Sequence, residues 1–152
     1  SGEAEDLEAC RPILQMISRE QIYQGPGEAA RIVKVSVNAL LVGSTLLIGE
    51  TLALGESAGL PRETLVDAIN ASIVGSRHYA TRAEALKHRR YGSAGPLNLV
   101  AKDMELALGL DAEANQELPL LRYAMSRVDA LIGQGKGNVE VTVLADLTKH
   151  GG

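Results

Sequence analysis

The segment from Glu28 to Ala58 contains nothing that would end a helix, and Gly59 and Pro61 then form a typical stop signal. After Val33 the segment is apolar on nearly every face of such a helix. This pattern is typical of a helix at the centre of a core or within a bilayer. The chain is therefore expected to fold around one long helix.

The uncharged run between Lys34 and Glu50 distinguishes a core helix from a membrane span. The run is about fifteen residues long and includes hydroxyl and amide side chains, whereas a spanning helix needs roughly 18 apolar residues. We therefore expect a core helix and no membrane partner. Four positions on the helix have small side chains: Gly43, Ser44, Gly49 and Gly55. These positions would let neighbouring helices, or a second copy of this helix, approach its backbone closely.

The rest of the chain is mostly helical in pattern. Apolar spacing predicts further helices at residues 3–18, 63–71, 77–90, 97–114, 119–134 and 139–149. Pro12 predicts a break or kink in the first, residues 21–24 resemble a short strand, and residues 91–96 form a loop. The sequence thus predicts an all-α domain, a long central helix surrounded by shorter helices, preceded by a helix and a short strand.

Charge and cysteine content exclude several function classes. The net charge is -4 and the basic residues are scattered, so no nucleic-acid partner is expected. No Cys and His cluster has metal-ligand spacing, and the acidic N-terminus lacks the features of a secretion signal, which favours a cytoplasmic protein without a metal. Four further residues have no orienting partner or base nearby in the sequence. We therefore interpret them as structural or surface groups: Cys10, His78, His88 and His150.

One glycine motif is interpreted as a decoy. The segment Gly25-Pro26-Gly27-Glu28-Ala29-Ala30 has the form G-x-G-x-x-A of a dinucleotide fingerprint, and Glu50 follows about 20 residues later. A true fingerprint lies between a buried apolar strand and a helix that returns to a second strand. Here the preceding segment is polar and Glu50 lies inside the long helix.

Lys34 and Asn38 are four residues apart and therefore share one face of the long helix. A lysine at the margin of an apolar core, partly shielded from water, can act as a general acid or base. A lysine near a helix start can equally extend into solvent, and an asparagine can be tolerated at a core margin. Spacing alone leaves both interpretations open, and Lys102-Asp103, near the start of a later helix, is uninformative alone.

With these residues placed, the chain resembles the β-hydroxyacid dehydrogenase family, which includes hydroxyisobutyrate dehydrogenases and tartronate semialdehyde reductases. That family carries G-x-x-G-x-G-x-x-x-K-x-x-x-N at the start of a long interdomain helix. Gly25, Lys34 and Asn38 match this motif, whereas Glu28 and Ala30 replace its two inner glycines. Further similar segments are Glu50-Thr51-Leu52-Ala53-Leu54, Ala101-Lys102-Asp103-Met104 and Asn138-Val139-Glu140-Val141.

The resemblance implies a domain organisation and roles for the matching residues. Residues 1–25 would be the end of an NAD(P)-binding Rossmann domain, and residues 26–152 a helical substrate-binding and dimerisation domain similar to the C-terminal domain of 6-phosphogluconate dehydrogenase. Lys34 would be the general acid and base, Asn38 would hold the substrate, and Lys102 would border the cofactor. The implied partners are NAD or NADP, a small β-hydroxy acid or its semialdehyde, the missing Rossmann domain, and a second copy in a homodimer or dimer of dimers.

Two alternatives stay open at this point. Glu28 and Ala30 in place of glycines are compatible with a non-catalytic helical dimerisation module of the same fold. An imine reductase-like relative shares the helical dimer but usually lacks the lysine, so Lys34 argues against it. If the chain is instead the substrate-side half of a β-hydroxyacid dehydrogenase, that half alone is expected to be inactive.

Overall fold

A computed structural model of the chain describes residues 1–114 and 117–146, without the side chains of residues 111–114. This part of the chain forms seven α-helices: α1 Ala4–Ile17, α2 Ala29–Ser57, α3 Arg62–Ala71, α4 Arg77–Thr81, α5 Ala83–His88, α6 Leu97–Ala114 and α7 Pro119–Leu131. A π-helical turn, Ile132–Lys136, extends α7, and a 3₁₀ helix, Val141–Ala145, comes last. The described residues contain no β-strand, which confirms the all-α fold.

Helix α2 is the central element, as its uninterrupted sequence predicts, and α3, α6, α7 and the 3₁₀ helix pack along it. The backbone of another element comes very close to α2 at Gly49, where an added Cβ would lie 2.7 Å from the Cα of Ala145. Gly55 lies in the same way against the side chain of Leu65. The prediction of close approach is confirmed at these two glycines, whereas Gly43 has no atom within 4 Å of its Cβ position.

Two clusters of buried apolar side chains fix α2 in place. The larger joins α2 to α6, α7 and the 3₁₀ helix through residues such as Val42, Met104 and Val128. The smaller joins the second half of α2 to α3 and α5 through Leu52 and Leu86. Burying each such side chain contributes about 1.5–3 kcal/mol. This packing holds the first half of α2 against α6, where the polar side chains discussed below meet.

The strand predicted at residues 21–24 is wrong. A strand needs a neighbour that takes up its backbone N–H and C=O groups, and no strand pairs with this segment within residues 1–114 and 117–146. Instead the Tyr23 hydroxyl donates to the Gly2 carbonyl at 2.8 Å, and the Gly2 N–H donates to the Gly25 carbonyl. Residues 21–24 are therefore an irregular connection between α1 and α2.

The single helix predicted at residues 77–90 is also wrong, because the chain leaves helical geometry at Arg82 and forms α4 and α5. The two short helices are held by different partners. The Tyr79 hydroxyl of α4 donates to the Ser44 carbonyl of α2, whereas Leu86 of α5 is buried in the smaller cluster. Pro12, by contrast, does not end α1, which continues to Ile17.

The end of the chain is only partly described. The helix predicted at residues 119–134 ends as α7 at Leu131 and continues into the π-helical turn. Of the closing helix predicted at residues 139–149, the structure shows the 3₁₀ helix Val141–Ala145. Residues 147–149 lie outside the described residues.

One side of α2 does not face the core. Several large apolar side chains on it are exposed, with Leu40 and Leu54 each at 72%. By length and hydropathy α2 also satisfies the criteria for a membrane span, as core helices of globular proteins do. The opposite side of the helix is fully packed, with Val42 and Leu52 both at 0%. The helix is thus two-sided, and only part of its apolar surface is used within one chain.

Candidate functional site

Lys34 and Asn38 meet at one carboxylate. The Lys34 ammonium donates to Oδ1 of Asp103 at 2.5 Å, and the Asn38 side-chain amide donates to Oδ2 of the same residue at 2.6 Å. Lys34 and Asn38 lie on successive turns of α2, while Asp103 is on α6, which packs along it. The helix spacing that predicts a shared face is therefore confirmed, and a third residue links the two side chains.

The three side chains differ strongly in exposure. Asp103 is buried, with 6% of its side chain exposed, whereas 56% of the Lys34 side chain is exposed. More than half of the Lys34 side chain is thus open to solvent, and an ion pair at the edge of the core sets its position. One N–H of Lys34 is used by Asp103, and an ammonium has two more. The site therefore presents a fixed cation with free donors on its open side.

Asp103 is the residue that motif reasoning missed. A buried carboxylate is costly unless it is paired and hydrogen-bonded, and here both oxygens have partners. A signal was present in the sequence. Asp103 lies on the same face of α6 as Val100 and Ala107, both buried, so an acid occupies the apolar face and requires a cation from a neighbouring helix.

Lys102 is placed differently. It is exposed on α6 and forms no hydrogen bond or ion pair within the described part of the chain. Lys102 directly precedes Asp103 in the sequence, and successive side chains of a helix point about 100° apart. The Lys102 and Asp103 side chains therefore point in different directions. The structure therefore brings Lys34 and Asn38 together and leaves Lys102 as a separate, unpaired cation beside them.

A second polar cluster lies farther along α2. Thr45 continues the row of Lys34 and Asn38, and its hydroxyl donates to the Leu41 carbonyl at 2.7 Å. Because that hydroxyl has one proton, the His78 Nε2, 3.1 Å away, is the donor in their contact. The interpretation of His78 as a histidine without an orienting partner is therefore wrong.

The structure also bears on the predictions for the other titratable residues and for the glycine motif. Cys10 and His88 are exposed, as expected of surface residues, and His150 lies outside the described residues. The glycine motif at Gly25 is confirmed as a decoy, because no strand precedes it and Glu50 is an exposed residue inside α2. In the described part of the chain, no group of three Cys, His, Asp or Glu residues could hold a metal ion.

The donor set fits one side of a site for a small acid beside a nicotinamide nucleotide. Two lysine amines and one carboxamide suit anionic and hydroxyl-bearing ligands. The described residues contain no strand-turn-helix arrangement that would bind a pyrophosphate. The described residues therefore offer donors for an anionic or hydroxyl-bearing ligand and contain no turn that would bind the phosphates of a nucleotide.

Comparison with known proteins gives consistent matches. The family model described as NAD-binding of NADP-dependent 3-hydroxyisobutyrate dehydrogenase matches residues 28–148. An uncharacterized oxidoreductase of Bacillus subtilis is 27% identical over 90% of this chain and 48% of its own length. An NAD-dependent L-serine dehydrogenase of Pseudomonas aeruginosa is 29% identical over 96% of this chain and 51% of its own length.

A solved structure supports the fold. The 3-hydroxyisobutyrate dehydrogenase of Mycobacterium tuberculosis, determined with L-serine, superposes with a TM-score of 0.82 at 21% identity, covering 95% of this chain and 52% of that one. The chain spans about half the length of the curated relatives named above. The cofactor class of these proteins is NAD or NADP, as the resemblance implied. The chain belongs to the NAD-binding domain family of the 3-hydroxyisobutyrate dehydrogenases, within the β-hydroxyacid dehydrogenases.

Proposed function

We propose that this chain is the substrate-side half of an NAD(P)-dependent dehydrogenase of small β-hydroxy acids. The observation that carries the proposal is the shared carboxylate of Asp103, which fixes the Lys34 amine and the Asn38 amide side by side. The ion pair also satisfies the buried carboxylate, and it leaves two N–H groups of the Lys34 ammonium free for a ligand. The fixed pair supports a site in which both groups act on one ligand.

Lys34 is the proton-exchanging group in this proposal. A nicotinamide bound beside Lys34 would supply the hydride chemistry, as acceptor for oxidation of the substrate alcohol and as donor for reduction of the carbonyl. During oxidation the hydroxyl proton passes to the Lys34 amine, and during reduction the ammonium gives a proton to the carbonyl oxygen. Asp103 is a positioning residue in this proposal, since it is buried and holds the Lys34 amine through an ion pair.

Asn38 and Lys102 orient the ligands. The Asn38 amide uses one N–H for Asp103, which leaves a second N–H and the carbonyl oxygen for a substrate hydroxyl or carboxylate. Lys102, exposed and unpaired within the described residues, borders the cofactor. The relatives support the substrate class, because serine and 3-hydroxyisobutyrate are both short acids with a β-hydroxyl group.

The nucleotide-binding part belongs to a preceding Rossmann domain, of which residues 1–25 are the end. Helix α1 buries no residue against the rest of the chain, and its apolar side chains Ile13, Met16 and Ile17 are exposed. Such a helix needs another surface to cover its apolar face. An exposed free thiol at Cys10 agrees with a reducing compartment such as the cytoplasm.

A non-catalytic module of the same fold is the second candidate. Its support is Glu28, which replaces a motif glycine and pairs with Arg31 at 2.5 Å, so that the start of α2 carries an ion pair. Close backbone approach of a substrate to that turn is then hindered. An imine reductase-like activity is disfavoured, because Lys34 is retained.

Kinetics of the full-length protein test the proposal. NAD- and NADP-dependent oxidation of short β-hydroxy acids is measured for the wild type, Lys34→Ala and Asp103→Asn. We expect kcat to fall about 10²-fold or more in Lys34→Ala, since a general acid-base group contributes about that much. We expect a fall of about 10- to 100-fold in kcat, with KM less affected, in Asp103→Asn, because the amine loses its anchor.

Asp129→Asn, at an exposed residue on α7, is the matched control and should retain wild-type kcat. Circular dichroism of each variant separates loss of activity from loss of folding. A wild type that oxidises no hydroxy acid with either nucleotide would favour the non-catalytic module. An active wild type whose Lys34→Ala variant keeps its kcat would contradict the role of Lys34.

A further inference from the structure

A second cluster of polar side chains lies where α4 ends, and the proposed reaction does not use it. The His78 ring is held by the buried Thr45 hydroxyl, which lies 3.1 Å from Nε2. The Arg82 guanidinium donates through Nε to the buried carboxylate of Glu140, which also accepts from the Thr142 hydroxyl at 3.0 Å. Buried partners thus fix two side chains that we call the distal pair, His78 and Arg82.

The distal pair lies in line with the proposed active site. At about 100° per residue, Thr45 points from α2 in a direction between those of Lys34 and Asn38. His78, in contact with Thr45, therefore lies over the same face of α2 as those two side chains. Thr45 follows Asn38 by seven residues, or about 10 Å along the helix axis. The two polar groups therefore lie at the two ends of one short strip.

The strip between these groups is apolar. On α2 it is occupied by Leu41, a partly buried side chain that packs against the larger cluster. A hydrogen bond of about 3 Å at each end leaves about 4 Å of the strip for the carbon chain of a ligand. With carbon–carbon bonds of about 1.5 Å, this length accommodates about three bonds of an extended chain. A ligand of that length would reach both ends of the strip.

The open side of the distal pair offers an acceptor and a donor. Because Nε2 of His78 donates to Thr45, the neutral ring carries a lone pair on Nδ1. Burial and the nearby Arg82 guanidinium lower the pKa of this imidazole, which favours the neutral ring at pH 7. Arg82 Nη2 forms no hydrogen bond among residues 1–114 and 117–146, and the Glu140 carboxylate balances the charge of the guanidinium. The distal pair and Glu140 together are therefore uncharged.

We propose that the distal pair determines the specificity of the proposed dehydrogenase by binding an uncharged hydroxyl or carboxamide group, three carbons beyond the reacting carbon of a β-hydroxy acid. The inference rests on the proposed function for the reacting end of the substrate. A hydroxyl or carboxamide group accepts a hydrogen bond from Arg82 Nη2 and donates one to His78 Nδ1.

Other end groups fit the distal pair less well. A carboxylate has no proton to donate to Nδ1 of His78, and it would meet the Glu140 carboxylate beside Arg82. A methyl group leaves Nδ1 and Nη2 without partners once the ligand excludes water from them, which costs free energy. The substrate class indicated is therefore a six-carbon β-hydroxy acid with an uncharged polar end.

Steady-state kinetics of the full-length protein at pH 7.5 test this specificity. Four β-hydroxy acids of the same chain length are compared: 3,6-dihydroxyhexanoate, the 6-amide of 3-hydroxyadipate, 3-hydroxyadipate and 3-hydroxyhexanoate. We expect kcat/KM to be about 3- to 10-fold higher for the first two than for 3-hydroxyhexanoate, the effect of about one net hydrogen bond. The dicarboxylate 3-hydroxyadipate should have a kcat/KM no higher than that of 3-hydroxyhexanoate.

Two variants of His78 test its part in this preference. His78→Leu should lower the ratio of kcat/KM between the amide and 3-hydroxyhexanoate toward one, because it removes Nδ1 while Thr45 keeps its bond to the Leu41 carbonyl. His78→Gln should keep part of the preference, since its amide can donate to Thr45 and accept from the ligand. His88→Leu, at an exposed imidazole, is the matched control and should keep the wild-type ratio. Circular dichroism verifies that each variant is folded.

Isothermal titration calorimetry separates failure of this inference from failure of the proposed function. The Kd values of the amide and of 3-hydroxyhexanoate are measured with NADH or NADPH present, which prevents oxidation, for the wild type and Lys34→Ala. Their ratio should be about the same in both proteins, because Lys34 lies at the other end of the strip. A wild type that oxidises none of the four acids, yet binds the amide more tightly, would contradict the dehydrogenase and support the distal pair.

Several results would overturn the inference. One is equal kcat/KM and equal Kd for the amide and 3-hydroxyhexanoate, and another is binding of neither acid. A preference for 3-hydroxyadipate would show that the distal pair selects an anion instead of an uncharged group. A preference for the amide that persists unchanged in His78→Leu would show that His78 does not contact the ligand.

Discussion

At the scale of single residues, His78 is a half-buried ionisable group whose titration has a measurable consequence for stability. Burial lowers the pKa of its imidazole, the nearby Arg82 guanidinium acts in the same direction, and Glu140 opposes both. The folded chain therefore takes up this proton at a lower pH than the unfolded chain, whose histidines titrate near about pH 6.5. Since the unfolded state binds more protons in that interval, stability decreases as the pH falls below about 6.5.

We therefore expect His78→Gln to lose less stability on acidification than the wild type. The measurement is the difference in Tm between pH 7.5 and pH 5.5, which should be smaller in the variant. Glutamine can keep a donor toward Thr45 Oγ1, now 3.1 Å from the His78 ring nitrogen. His88→Gln, at an exposed imidazole, is the control and should behave as the wild type. An identical pH dependence in wild type and His78→Gln would contradict the assignment.

The candidate site shows what one sequence can and cannot reveal at this scale. Lys34 and Asn38 were found because their spacing on a helix and a family motif coincide. Asp103 was not singled out, because its role depends on two helices 65 to 69 residues apart in the chain coming together. The same limit applies to His78, whose partner Thr45 is 33 residues away. Local spacing predicts which side chains share a face but not which faces meet.

At the scale of elements, Gly49 is a position on α2 where helix packing leaves no room for a larger side chain. A Cβ there would lie 2.7 Å from Ala145 Cα and 3.0 Å from its carbonyl oxygen, which are backbone atoms that cannot rotate away. Gly49→Ala should destabilise the chain by about 1–3 kcal/mol, the usual cost of overpacking a core. Urea denaturation followed by circular dichroism measures this change.

Gly109→Ala provides the comparison for that substitution. Gly109 lies inside α6 with no atom within 4 Å of its Cβ position, so alanine only improves helix propensity there. We expect a gain of up to about 1 kcal/mol. Equal effects of the two substitutions would mean that the contact between α2 and the 3₁₀ helix is looser than the structure shows.

The elements that sequence reasoning predicted correctly are those with strong periodicity. Helix α6 was predicted at residues 97–114 and α2 within one residue of its ends, because apolar spacing and stop signals act locally. The strand at residues 21–24 was wrong, since strand formation depends on a partner elsewhere. The break at Arg82 was missed for a similar reason. Its side chain pairs with buried Glu140, 58 residues later, and no local signal records that contact.

At the scale of the whole molecule, the chain divides into a packed helical body and a loosely attached start. Both apolar clusters consist of residues from Ala39 onward. A short ladder of ion pairs also ties the far end of the body together, since Arg62 and Arg89 both bind Glu56, and Arg89 binds Asp146. Helix α1 takes part in neither, and it buries no residue. The body should therefore be stable without it.

We expect the chain shortened to residues 26–152 to unfold at nearly the same Tm as residues 1–152, within about 2 °C. The physical reason is that removing residues 1–25 exposes almost no core and breaks only isolated hydrogen bonds, such as Tyr23 to Gly2. Thermal unfolding of both chains, followed by circular dichroism at one concentration, makes the comparison. A matched removal of residues 139–152, which takes away buried Val141 and Leu144, should instead abolish cooperative unfolding. A fall of 10 °C or more in the first variant would show that α1 belongs to the helical body, and the proposed domain boundary at residue 25 would then be wrong.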